Sequence, residues 1–226
     1  MNWIKIIFYK FLKKLNKLLP KKIRFQSNID NIYDNEFFDD RWEKVNIDKV
    51  RKIVDILIET FNPKSVVDIG CGDGLYLKEF HNKGVETIGC DGSRLALLKS
   101  SKDVTIFLTD LKRPVVFNRK FDLCVCFEVA EHIPYRYSKT LIDTLCDSSD
   151  VIAFTAAPPG QGGTDHINEQ PFDFWLKLFE RRGFTFDADT TSKIVRKFEE
   201  DVIPWIKNNF KCFRRNKSEV SKPKNA

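Results

Sequence analysis

At 226 residues, with 42% hydrophobic and 13% aromatic content, the chain can fill the core of one α/β sheet covered by helices on both faces. Its net charge of +6 belongs to its ends: residues 1–24 carry eight Lys/Arg and no acid, and residues 211–226 carry six against one Glu. The stretch between them holds 24 basic and 31 acidic residues, which disfavours a broad basic surface for duplex or long single-stranded nucleic acid and leaves only short RNA open.

The first element is a helix over residues 1–19. At 100° per residue Ile4, Ile7, Phe8, Phe11, Leu12, Leu15, Leu18 and Leu19 share one arc, and Lys5, Lys10, Lys13, Lys14 and Lys17 the other. Ile6 breaks the pattern and Pro20 ends it. Lysines interrupt every apolar run, so the segment cannot span a bilayer. It suits an anionic membrane surface, or it packs on its own domain or a partner. Residues 32–42 are acidic and aromatic, and residues 48–61 repeat apolar side chains at helical spacing until Pro63. No apolar leader with a small-residue cleavage site is present, and six cysteines show no metal-ligand spacing; reduced thiols in a cytosolic protein are expected.

Residues 66–74 are the most informative stretch. Branched apolar residues run into Gly70, Gly72 and Gly74, as a buried parallel strand does before a tight turn that admits a ligand to the backbone. A dinucleotide fingerprint needs glycine where Leu75 stands, and the Gly-Lys-Ser/Thr of a P-loop is absent. The remaining pattern is D-x-G-x-G-x-G, starting at Asp68. A second strand over 86–91 ends in Asp91, whose carboxylate can accept both hydroxyls of a ribose. A third over 104–107 precedes Asp110, which could take an adenine amino group, and a fourth covers 121–128. Beyond them follow a central strand over 151–157 and a helix over 172–182 between Pro171 and Gly183. The sequence then predicts a strand over 184–189, helical tendency over 193–203 and a last strand over 209–214.

The glycine loop, Asp91, Asp110 and the block at residues 128–133 resemble, in type and order, the class I S-adenosylmethionine (SAM) methyltransferases across about residues 60–215. A Rossmann-like domain for another nucleotide is the alternative. The resemblance implies a doubly wound, Rossmann-like seven-stranded α/β sheet, mostly parallel with an antiparallel last strand. The chain then divides into the basic amphipathic helix (1–24), an N-terminal helical or cap region (25–62) that covers cofactor or substrate in resembling enzymes or else only connects and packs its aromatics on the sheet, the methyltransferase domain (63–215) and a disordered basic tail (216–226). SAM would be held by Asp68, Gly70, Cys71, Gly72, Asp73, Gly74, Asp91, Gly92, Ser93, Asp110, Leu111 and Phe127.

Two blocks at the carboxyl edge of the sheet carry the candidate chemistry: Glu128-x-x-Glu131-His132, and the loop at 158–170 with Gln161, His166 and three glycines. His132 or His166 could deprotonate an acceptor hydroxyl during in-line methyl transfer. Alternatively His132 bonds locally at a helix start and His166 anchors its loop. Together Glu128, Glu131, His132 and His166 are a plausible ligand set for a divalent ion, Mg or Mn. A similar block, with a later His, marks metal-dependent O-methyltransferases of small-RNA 3′ ends and of ubiquinone-type catechols. The glycine-rich 161–170 segment departs from both and resembles methyltransferases found beside sugar and surface-glycan enzymes. No Asn/Asp-Pro-Pro-Tyr or Pro-Cys motif follows the fourth strand, which disfavours amino-methylation and cytosine C5 chemistry. The expected activity is O-methylation of a small-molecule, sugar or lipid-linked acceptor, with RNA-terminal 2′-O-methylation or a non-catalytic SAM-binding scaffold as alternatives.

Overall fold

A computed structural model describes residues 46–198 and 202–216. The expected amphipathic helix at 1–24, most of the cap region and most of the basic tail lie outside the described residues.

Helix α1 (Ile47–Phe61) starts where the Asn46 side chain accepts the Asp48 amide at 2.8 Å, a standard way to satisfy an orphan helix donor. It stops at Asn62, which turns left-handed before Pro63. Val50, Ile53, Val54 and Leu57 repeat every three or four positions and are fully buried on the sheet. Each such burial stabilises the fold by roughly 1.5–3 kcal/mol.

The sheet has seven strands: β1 (Ser65–Ile69), β2 (Glu86–Asp91), β3 (Thr105–Leu108), β4 (Leu123–Phe127), β5 (Val151–Thr155), β6 (Phe184–Phe186) and β7 (Lys211–Arg215). Their spatial order is β3-β2-β1-β4-β5-β7-β6, and β7 alone runs antiparallel to its neighbours. The order reverses direction between β1 and β4, which creates the crevice where doubly wound sheets hold ligands. Alternate side chains feed two apolar layers. Val66, Leu123 and Val125 face α1, α2 (Leu75–Asn82), α6 (Ala188–Lys197) and α7 (Pro204–Asn209). Val67, Cys124 and Cys126 face α4 (Ser138–Ser148) and α5 (Phe172–Glu180). A shorter helix, α3 (Arg94–Lys99), links β2 to β3.

Several element boundaries differ from the sequence expectation. β4 begins at Leu123 rather than 121, because the Asp122 carboxylate accepts the amides of Lys64 and Ser65 at 2.8 and 2.9 Å and ties the start of β1. β3 is shifted one residue, and β5 stops at Thr155 where the chain turns toward Pro158. The alternation at 184–189 does not continue as strand. Asp187 instead accepts the Thr190 amide at 2.9 Å and caps α6, a role its short carboxylate favours. Among the described residues, only the start of the 193–203 stretch is helical: α6 ends at Lys197, and α7 begins separately just beyond the stretch, with Pro204 in its first turn. Asn209 closes α7, so β7 starts only at Lys211.

Candidate functional site

The glycine loop follows β1. A Cβ at Gly70 would lie 2.5 Å from Val129 Cγ2, so only glycine lets the loop pass the turn after β4. That contact sets the loop directly beside the Glu128–His132 block. Gly70 and Cys71 donate their amides to the Cys90 carbonyl at 2.8 and 3.1 Å, which holds the loop to the end of β2. Asp91 finishes the job: its Oδ2 accepts the Gly72 amide and its Oδ1 the Ser93 amide, both at 2.8 Å. A carboxylate oxygen can accept two bonds, so this bracing leaves Asp91 able to receive a diol while fixing its orientation. Asp68 and Asp73 are buried beside the loop.

The remaining expected cofactor residues are less uniform. Asp110 is half exposed and accepts the Lys112 amide at 3.0 Å, with Lys112 Nζ at 3.5 Å. The Thr109 amide donates to the Asp91 carbonyl at 2.8 Å, bringing Asp110 to the same edge as Asp91. Ser93 caps α3 through its hydroxyl, which accepts the Ala96 amide, and Gly92 lies between these two anchored residues. Leu111 packs into the α4–α5 layer. Phe127 packs edge-on against Tyr76 at 5.3 Å and lies 6.2 Å from Phe210.

After β4 the chain makes a turn of 3-10 helix over Ala130–His132. The loop from 158 to 170 is sewn to that turn: Ile167 and Asn168 donate their amides to the Glu131 carbonyl at 3.0 and 2.9 Å. The Asn168 side chain is fully buried; its amide donates to Ser138 Oγ at 2.9 Å and the Ala130 carbonyl at 3.3 Å, and its oxygen accepts from Gln170 at 2.8 Å. These bonds bring His166 edge-to-face with His132, ring centres 4.9 Å apart. Gly163 lies flat on the His166 ring, where a Cβ would come within 2.3 Å of Nε2.

Glu131, His132 and His166 each place one ligand atom within 4.8 Å of the others. Neither Glu131 oxygen receives a hydrogen bond of ordinary geometry. Burial, reinforced by the neighbouring Glu128 charge, pushes the Glu131 carboxyl well above its usual range, against the amides of Glu131 and Ala157. Glu128 stays in side-chain contact with Glu131 and also reaches outward. Its Oε2 accepts from Gln161 Nε2 at 3.1 Å and its Oε1 from Asn209 Nδ2 at 3.0 Å.

Two residues that sequence reasoning left without a role stand out. Glu169 accepts three donors: the Gly160 amide at 2.8 Å, the Gly162 amide at 2.7 Å and His166 Nδ1 at 3.0 Å. Burial alone would raise its carboxyl, but the Gly160, His166 and Gly162 bonds outweigh that and hold it below the ordinary value. Asn209 is the other, brought from a distant helix. Nothing local in the sequence, which reads there as the start of a strand, singles it out. Cysteine chemistry is disfavoured, since all six cysteines are free and buried, and burial pushes every thiol up, Cys90, Cys146 and Cys212 to about 12.

Comparison with known proteins identifies the family and the fold. A family described as a methyltransferase domain matches residues 38–189. The ubiquinone biosynthesis O-methyltransferase of Nitrosomonas europaea is 30% identical over 93 residues, covering 36% of this chain and 38% of that protein. The chain thus spans little more than a third of this curated relative's length. Among solved structures, SAM-bound CalS10, an amino pentose methyltransferase from Micromonospora echinaspora, superposes with a TM-score of 0.63 at 11% identity over 85% of this chain and all of the other (100%). A SAM-dependent methyltransferase from Clostridium acetobutylicum gives 0.61 at 13% identity, over 80% and 98%. At such identities the superpositions establish the fold, and the family match covers well over half of the sequence. The chain belongs to the class I SAM-dependent methyltransferases, and SAM is its cofactor.

Proposed function

We propose that this methyltransferase acts on oxygen, transferring the SAM methyl to a hydroxyl of a small-molecule, sugar or lipid-linked acceptor. One observation carries the reading: two imidazoles and a buried carboxyl converge beside the glycine loop, at the carboxyl edge of β4 and β5. A sulfonium methyl needs no activation by the protein. It needs a hydroxyl aligned behind it and a base to take the proton.

In this reading Asp91 receives the ribose hydroxyls and Asp110 the adenine amino group, while the loop from Asp68 to Gly74 lies along the cofactor's amino-acid tail. His166 is the base. Glu169 accepts its Nδ1 proton and so directs Nε2 toward the acceptor, as a carboxylate orients an imidazole elsewhere. The acceptor oxygen attacks the methyl carbon, the S–C bonding pair returns to sulfur to give a neutral thioether, and the hydroxyl proton passes to the imidazole.

A divalent ion is a second reading that the same convergence favours. Glu131, His132 and His166 fit one by spacing, and a buried carboxyl without a full hydrogen bond is a donor suited to it. Such an ion would supply charge to lower the hydroxyl pKa. The test uses methyl-labelled SAM with a panel of sugars, quinols and lipid alcohols, with and without chelator. Product carrying the label on oxygen, and a loss of about 10²–10⁴-fold in kcat in His166→Ala, is expected. Full turnover in that variant would contradict the base, and insensitivity to chelator would discard the ion.

A further inference from the structure

Glu128, Gln161 and Asn209 form a second polar group beside the imidazole pair, and it is built from three separate elements. The strand register explains their meeting. Phe127 pairs with Thr155, and Phe154 with Lys211, so the ends of β4 and β5 and the start of antiparallel β7 share one edge of the sheet. Glu128 follows β4, Gln161 lies in the loop after β5, and Asn209 ends the helix that precedes β7. All three side chains bond to one another: Gln161 Nε2 to Glu128 at 3.1 Å, Asn209 Nδ2 to Glu128 at 3.0 Å, and Asn209 Nδ2 to Gln161 Oε1 at 2.9 Å.

Each member is held from behind. Glu128 adopts a left-handed φ of 54°, rare for a residue with a side chain, and its amide donates to Thr155 Oγ1 at 2.9 Å and to the Thr155 carbonyl at 3.2 Å. Gln161 sits between two glycine amides that both bond to Glu169. Lys211 Nζ donates to the Phe210 carbonyl at 3.1 Å and, more weakly, to that of Asn209, fixing the turn after Asn209. Gln161 itself is exposed, so the group opens to solvent.

We infer that Glu128, Gln161 and Asn209 form the acceptor subsite and recognise a vicinal diol, whose neighbouring hydroxyl is thereby presented to His166; this rests on the O-methylation reading above. The chemistry is specific. A carboxylate accepts only, whereas each carboxamide both donates and accepts, which matches a hydroxyl that does both. A diol oxygen entering the trio exchanges side-chain bonds for its own and leaves no partner unpaired. A single hydroxyl or an amine lacks the second contact. The left-handed Glu128 backbone aims the carboxylate at this rim, and Glu169 links the subsite to the base because it anchors both Gln161's neighbours and His166.

Two diol sources, a sugar and a catechol, share this chemistry, and separate arms distinguish them. The experiment titrates full-length protein saturated with S-adenosylhomocysteine against methyl mannoside, catechol and phenol, reading affinity by ligand-observed NMR. At least one diol should bind about tenfold more tightly than phenol, and Gln161→Ala and Asn209→Ala should each erase that preference with S-adenosylhomocysteine affinity unchanged. Gln161→Glu, which sets a second carboxylate against Glu128, should do the same without truncating the side chain. Mannoside preference assigns a sugar, and catechol preference an aromatic diol. Absence of diol binding, equal binding of diol and phenol, or unaltered preference in all three variants would overturn the subsite. Unchanged turnover in His166→Ala would instead overturn the base and leave the subsite standing.

Discussion

Asp91 carries two duties at once, and its substitution separates this site from a generic loop. Its carboxylate braces Gly72 and Ser93 and, in the proposed complex, receives the ribose. Charge-assisted bonds are worth roughly 1.5–3 kcal/mol each. Asp91→Ala should therefore weaken SAM binding at least about a hundredfold by calorimetry; unchanged affinity would remove Asp91 from the cofactor site. Glu169 offers a second test. Three N–H donors meet its carboxylate, so Glu169→Gln must turn an amide NH₂ toward one of them. That variant should fold and bind SAM normally, yet shift the His166 tautomer visible in ¹⁵N imidazole spectra and lower turnover about tenfold or more. An unaltered tautomer would confine Glu169 to the loop. Asp91 is legible from sequence because its distance from the glycine loop is set by one βαβ unit. Glu169 is not, because three donors converge on it only after the loop has folded back.

At the scale of elements, the loop from 158 to 170 is a built component rather than a bare connection. Asn168 is wholly buried and joins Ala130, Ser138 and Gln170. Asn168→Ala leaves buried groups unpaired, each costing about 1–3 kcal/mol, so urea denaturation should show a loss of that order. Gly163→Ala should act on the site instead, because its Cβ would strike the His166 ring. Helix α6 makes a pH prediction. Burial would raise the Asp187 carboxyl, but the Thr190 cap and the Arg214 ion pair at 2.6 Å outweigh it and hold the carboxyl below its usual value. A lowered folded value means the stabilisation is full above about pH 4, the unfolded carboxylate value, and is lost as pH falls through the folded one. Asp187→Asn should flatten the acid side of the stability curve; an identical acid slope would contradict the cap. The sequence misreads this region as strand because Phe184, Phe186 and Ala188 alternate. The cap at Asp187 decides the matter through a side-chain bond that alternation does not encode.

The whole molecule combines a parallel sheet, whose strands and crossovers announce themselves by apolar runs and glycine turns, with a site assembled across its carboxyl edge. Long-range partners such as Asn209 and Glu128, 81 positions apart, have no local signature, and the sequence places Asn209 in a strand. The basic N-terminal segment lies outside the described residues, and among those described no helix is long and apolar enough to cross a membrane. We propose for it an anionic-surface anchor. Each lysine near such a surface contributes about 1 kcal/mol, so vesicle binding should need anionic lipid, weaken with salt and vanish when residues 1–20 are deleted, with SAM binding retained. Equal binding to neutral vesicles would contradict it. We propose that the cofactor's sulfur faces the Glu131–His132–His166 group, and a crystal structure with S-adenosylhomocysteine decides this. That structure should show ribose hydroxyls within about 3 Å of Asp91 and the sulfur turned toward the two imidazoles, with room for one acceptor between. A sulfur directed away from both rings, or a ribose held without Asp91, would contradict it.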